Sequence, residues 1–193
     1  MKDDMNISKP TRNNIERLLK KYKDDYFPIT DTTLSKIFKT FPYNRDVHEV
    51  LIKVVMLNRL YNTNIIDPYP VAEHITSLSI DEMLSKGVLN IVTKIAEVKF
   101  HRKKWHLYSF ATKYCSWHFP EKFFIYDSIV DHILWEYKKR YNFASFFRYE
   151  LKDYERYHDI LLNFIDFFEL DDISKKRLDE FLWLEGLKVL DRL

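Results

Sequence analysis

The chain has 193 residues, 46% of them hydrophobic and 31% charged, with a formal net charge of +2. This is the length of one ordinary domain and a soluble, foldable composition; a disordered chain is excluded, and any basic surface must be local. Aromatic residues reach 17%, while Gly87 and Gly186 are the only glycines, too few for hairpin-rich β folds or for glycine-rich nucleotide loops.

The opening "MKDDMNISKPTRNN" is polar and unlike a signal peptide, no run approaches the ~18 apolar residues of a membrane span, and the single Cys115 fits a reducing compartment. The expectation is a cytoplasmic protein without membrane contact. The first helix is predicted from Thr11 to about Tyr22, on the stripe Ile15, Leu18 and Leu19. Thr30 or Asp31 is expected to cap a second helix that ends before Pro42. Asn44 or Asp46 opens the strongest amphipathic run of the N-terminal half, with Val47, Val50, Leu51, Val54, Val55, Asn58 and Tyr61 at three- and four-residue steps.

Pro68 and Pro70 break the chain before a short helix, "VAEHITSL". Ser79 and Glu82 read as a capping box for the next helix, which Gly87 stops or bends. "VLNIVTKIAEVKFHRKK" is apolar and then basic, and leads into a helix expected from about Trp105 to His118. "HFPEKFFIY" reads as an extended link, and Asp127 as the cap of "SIVDHILWEYKKRY". A brief helix from Ala144 or Ser145, then "DYERYHDILLNFIDFFEL" and "DDISKKRLDEFLWLEGL", complete a series of helices. The fold class is all-α, a single globular domain over residues 1–193, with N-terminal helices to residue 43 and a core from 44 to 193.

The histidines form no HExxH or Cys/His metal spacing, so no metal and no cofactor are expected. Cys115 shares an apolar face with Leu107, Ala111 and His118 and reads as packed. The run "KFHRKKWH" gathers Lys99, Arg102, Lys103 and Lys104 around Phe100 and Trp105. It reads either as a solvated helix junction or as a phosphate-contact patch. On a helical projection Lys113 falls on the flank of its helix beside Phe110 and Trp117, its stem against aromatic surface, where partial desolvation favours a nucleophilic amine. The link from Phe119 to Tyr126 is long enough to fold Asp127 back beside Lys113. Simple capping by Asp127 is the alternative, and the two roles are compatible.

"ATKYCSWH", with Thr112 and Lys113, and "PEKFFIYDSIV", with Pro120 and Asp127, resemble the lysine-bearing helix start and the loop-and-aspartate of the helix-hairpin-helix DNA glycosylase superfamily. The likeness is to the 8-oxoguanine DNA glycosylase branch and to small bacterial proteins described as having that fold, and it is best from about Asn44 to Tyr137. The chain departs from the family pattern in having no glycine in "WHLYSFATK". The resemblance implies two helical lobes with a cleft between them, duplex DNA carrying a damaged base as partner, and a glycosylase/lyase role in DNA repair. It implies Lys113 as the Schiff-base nucleophile and Asp127 as the second catalytic group, with Phe110, Trp117 and Tyr126 as candidates for the base pocket. A non-catalytic DNA-binding or protein-interaction module on the same fold is the other reading.

Overall fold

The computed structural model describes residues 7–26, 28–100 and 103–190. Helices Arg12–Tyr26 (α1) and Pro28–Thr40 (α2) come first. Val47–Tyr61 (α3) starts at Asp46, whose carboxylate accepts from the His48 and Glu49 N–H groups, and ends on Asn62 in the left-handed region. Asp67 caps Pro68–Ser77 (α4), and Gly87, at φ 70°, terminates Asp81–Lys86 (α5). Ile91–Ala96 (α6) runs directly into strands Glu97–Phe100 (β1) and Lys103–His106 (β2), followed by Tyr108–His118 (α7). Asp127 caps Ser128–Tyr141 (α8); a 3-10 turn Arg148–Lys152, then Tyr154–Phe167 (α9) and Lys175–Val189 (α10), complete the order. The described residues are all-α in class, with the single antiparallel β1–β2 ribbon as their strand content.

The chain forms two compact units, one made of Met1–Tyr26 with Tyr126–Leu193 and the other of Phe27–Ile125. In the first, α10 packs against α8 and α1. The rings of Tyr137, Phe143, Phe164 and Phe168 meet at 4.7 to 6.3 Å between centroids, mostly edge to face, which turns a high aromatic content into directional packing. In the second, α3 packs on α4, α2 and α7, and α6 on α7, around Val50, Val54, Leu57, Ile91, Ile95 and Tyr114.

Several local expectations are corrected. The basic run is not a helix junction but a ribbon, with Glu97↔His106, Val98↔Trp105, Lys99↔Lys104 and Phe100↔Lys103 in register. Val98 is fully buried between exposed Glu97 and Lys99, the period-2 alternation that a strand needs. α7 accordingly begins at Tyr108 rather than Trp105. Ser79 is not an N-cap: it sits at φ 49°, α5 has no side-chain cap, and the neighbouring Ile80 is drawn into the core. α2 starts at Pro28, upstream of Thr30, and the helix expected from Ala144 is a 3-10 turn that starts at Arg148.

The α8–α10 contact depends on Gly186. A Cβ there would lie 2.5 Å from Ile129 Cγ2 and 3.1 Å from the Ile129 carbonyl. Gly186→Ala should therefore destabilise the protein by roughly 1–3 kcal/mol, although alanine is the better helix former by about 1 kcal/mol. Urea denaturation checks this; an unchanged or raised midpoint would show that the helices have room for the methyl group.

Candidate functional site

α7 has no solvent face over most of its length: Tyr108, Phe110, Ala111, Thr112, Lys113, Tyr114, Cys115 and Ser116 are all buried. Lys113 is therefore deeper than the flank position expected from periodicity, at 2% exposure. Its Nζ donates to Ser109 Oγ at 2.6 Å, one turn back along the helix, and lies 5.6 Å from the centre of the Tyr61 ring. Thr112 Oγ1 donates to the Ser109 carbonyl at 2.9 Å.

The three aromatic candidates have different surroundings. Phe110 is a core residue, 5.7 Å from the Tyr114 ring. Trp117 is half-buried against Phe38 and Tyr61. Tyr126 donates its hydroxyl to Asp131 Oδ2 at 3.0 Å and packs edge-on to Tyr157. Burial, with Asp131 beside it, pushes the Tyr126 phenol pKa upward.

Asp127 caps α8 as expected, accepting from the Ile129 N–H at 2.9 Å. Lys113 belongs to the Phe27–Ile125 unit and Asp127 to the other. Lys99 and Lys104 are exposed and directly opposite one another on β1 and β2. Like charges in that position repel. Arg102 and the side chain of Lys103 lie outside the described residues.

Sequence reasoning missed Lys53. It is fully buried on α3, and its ammonium donates to the carbonyls of Phe41 (3.0 Å) and Tyr43 (2.7 Å) and to Asn44 Oδ1 (2.7 Å). That is the full donor complement of an ammonium. His118 Nε2 is 3.4 Å away. Asn44 Oδ1 also accepts from the Tyr114 hydroxyl at 2.5 Å, while its N–H and Nδ2 both donate to Asp81 Oδ1. A recess of ≈ 340 Å³ opens beside this network, with Asn44, Arg45, Asp81 and His118 in its wall.

The HI_0787_N family, described as an N-terminal domain, matches residues 14–122. An uncharacterized protein of Haemophilus influenzae (strain ATCC 51907 / DSM 11121 / KW20 / Rd) is 36% identical over 147 residues, 76% of this chain and 70% of that protein. The chain belongs to the HI_0787_N family. No solved structure matches it. The HI_0787_N match takes in Lys53, Asn44, Asp81, the ribbon and Lys113, and ends before Asp127.

Burial lowers the Lys53 pKa to about 8, against the opposing pull of Asp81 and Glu49. Burial and the Lys53 charge push His118 down to about 3, so the imidazole beside the ammonium is neutral at pH 7. The unfolded chain keeps the Lys53 proton up to about pH 10.5, whereas the folded protein releases it near pH 8. Between those values the unfolded state binds more protons, so the Lys53 contribution to stability rises with pH. Lys53→Met leaves the acceptors of Phe41, Tyr43 and Asn44 without their donor and should cost a few kcal/mol at pH 7, on the order of 2–4. The gap between wild type and Lys53→Met should then widen from pH 8 to 10.5. Guanidinium denaturation at a series of pH values measures it; a gap that is flat or narrows above pH 8 contradicts the buried, depressed ammonium.

Proposed function

We propose that the protein is a DNA glycosylase-like enzyme that releases a damaged base through a Schiff base on Lys113. The observation that carries this reading is the position of that amine, withdrawn to 2% exposure on a helix buried through most of its length and set against the Ser109 hydroxyl and the Tyr61 ring. Burying a lysine costs free energy, and a dry aromatic setting protects an imine from hydrolysis. Lys53, the other buried lysine described above, has its donors taken by Phe41, Tyr43 and Asn44 and reads as scaffold.

The chemistry follows from the amine. The deprotonated Nζ attacks C1′ of an extrahelical nucleotide, and the glycosidic C–N bond breaks with its electron pair remaining on the base, which takes up a proton. Loss of the second Nζ proton and opening of the C1′–O4′ bond leave the imine on Lys113 and a hydroxyl on the sugar. The resemblance gives the second catalytic role, stabilising positive charge on the sugar, to Asp127, which in its own unit caps α8. Exposed Lys99 and Lys104 supply phosphate contacts.

The second reading is a duplex-DNA-binding module without chemistry. The facing Lys99–Lys104 pair favours it, because a polyanion relieves that repulsion whether or not Lys113 reacts.

Borohydride trapping on a panel of damaged duplexes separates the readings. Lys113→Gln should abolish trapping and leave duplex binding nearly intact, and Asp127→Asn should slow base release with little loss of stability, since asparagine caps a helix equally well. Lys99→Ala and Lys104→Ala should each flatten the slope of log K against log salt by about 0.9. A wild-type protein that binds duplex DNA but traps none of the panel leaves only the binding module. One that binds no nucleic acid overturns both readings.

A further inference from the structure

The other unit carries a surface that neither Lys113 nor the ribbon explains. Phe147 and Tyr149 are 67% and 72% exposed, yet their rings lie parallel, 6° apart in plane and 5.6 Å between centroids. Two large rings held face to face in water on one short turn do no core packing. They form an offset parallel stack with open outer faces, a stacking plate whose Tyr149 ring borders a recess of ≈ 440 Å³ lined by Tyr126, Ser128, Asp131, Arg148, Tyr149 and Lys152.

The plate is built rigidly. Leu151 anchors the 3-10 turn in the core. The Glu150 carboxylate accepts from the Phe147 N–H at 2.6 Å and from Arg156 Nε at 3.0 Å, and these two bonds hold its pKa below the usual carboxylate range. The cation in the recess is also fixed: Arg148 Nε and Nη2 both reach Asp131 Oδ1 at 2.8 Å, and the second oxygen of Asp131 is taken by the Tyr126 hydroxyl. That uses two of the five N–H donors of the guanidinium. Lys152 is exposed and makes no ion pair among the described residues. Two cations thus face one carboxylate beside an aromatic plate, the combination that takes a base by stacking and its phosphate by charge.

We propose that this surface binds single-stranded DNA, with a base stacked on the Phe147–Tyr149 plate and the adjoining phosphate between Arg148 and Lys152. A recess of this size accommodates one nucleotide unit. The strand is favoured over a free nucleotide because both rings stand open to solvent, so bases outside the recess can stack as well. The site acts through residues separate from Lys113 and stands or falls independently of the glycosylase reading.

The test is fluorescence anisotropy of the full chain with labelled oligothymidylate, with thymidine monophosphate as competitor and a duplex of equal length as comparison. The paired change Phe147→Ser with Tyr149→Ser alters only exposed rings, and circular dichroism checks that the fold is kept. It should weaken oligothymidylate binding by roughly 5- to 100-fold, the loss of a stacked base. Lys152→Ala should flatten the salt slope by about 0.7. Wild-type protein that binds oligothymidylate but traps none of the damaged duplexes sinks the glycosylase reading and leaves this site standing. Unchanged affinity in the ring variant, or no single-strand binding by the wild type, overturns the proposal. So does equal competition by the mononucleotide, which would make the site a pocket for free nucleotide.

Discussion

A charged amine with no water must find its hydrogen bonds inside the protein, and in the Phe27–Ile125 unit Lys53 finds them at one point. Its ammonium takes the carbonyls of Phe41 and Tyr43, just past the end of α2, and the side chain of Asn44. Asn44 in turn binds Asp81 at the start of α5 and the hydroxyl of Tyr114 on α7. α2, α3, α5 and α7 are thereby tied through one lysine and one asparagine. Removing either partner leaves buried polar groups unmatched, so the network fixes one arrangement rather than merely adding contacts.

That arrangement sets the depth of α7. With Tyr114 bonded to Asn44 and edge-on to Phe38, and Phe110 in the core, the residues between them have no route to the surface. Lys113 is carried inside with them. The unit thus holds two buried lysines with different surroundings. Lys53 donates to two backbone carbonyls and an amide oxygen; the contacts of Lys113 include the Ser109 hydroxyl and the Tyr61 ring, on the helix singled out by "ATKYCSWH". The proposed chemistry assigns the first to architecture and the second to reaction.

Much of the helix order was legible because its punctuation is local. Asp46 and Asp127 stand before apolar periodic runs, and Gly87 supplies the left-handed residue that ends α5, whereas Pro68 and Pro70, read as a break, lie inside α4, which Asp67 caps. What was hidden is non-local. The buried seam of α3 runs Val50, Lys53, Val54, Leu57, and a lysine at a core step reads as polar, so Val55, 41% exposed, looked like core in its place. Asn44 looked like a cap because its partners on α5 and α7 are distant in sequence. The ribbon was masked by its lysines, which fit a solvated helix end until Val98 and Trp105 are seen to pair. Periodicity assigned Lys113 to a flank because α7 is apolar or small on nearly every side, and a helix buried all round has no flank to read. The exposed rings of Phe147 and Tyr149 lay in a stretch read only as a brief helix.

The division of roles between the two buried lysines is most directly tested by where an adduct forms. A duplex with a single abasic site presents an aldehyde to any amine that reaches it. Incubation with borohydride, proteolysis and mass spectrometry then identify the modified residue. The account predicts an adduct on Lys113 alone, with the Lys53 peptide unmodified. An adduct on Lys53, or on Lys99 or Lys104 with Lys113 untouched, would contradict it.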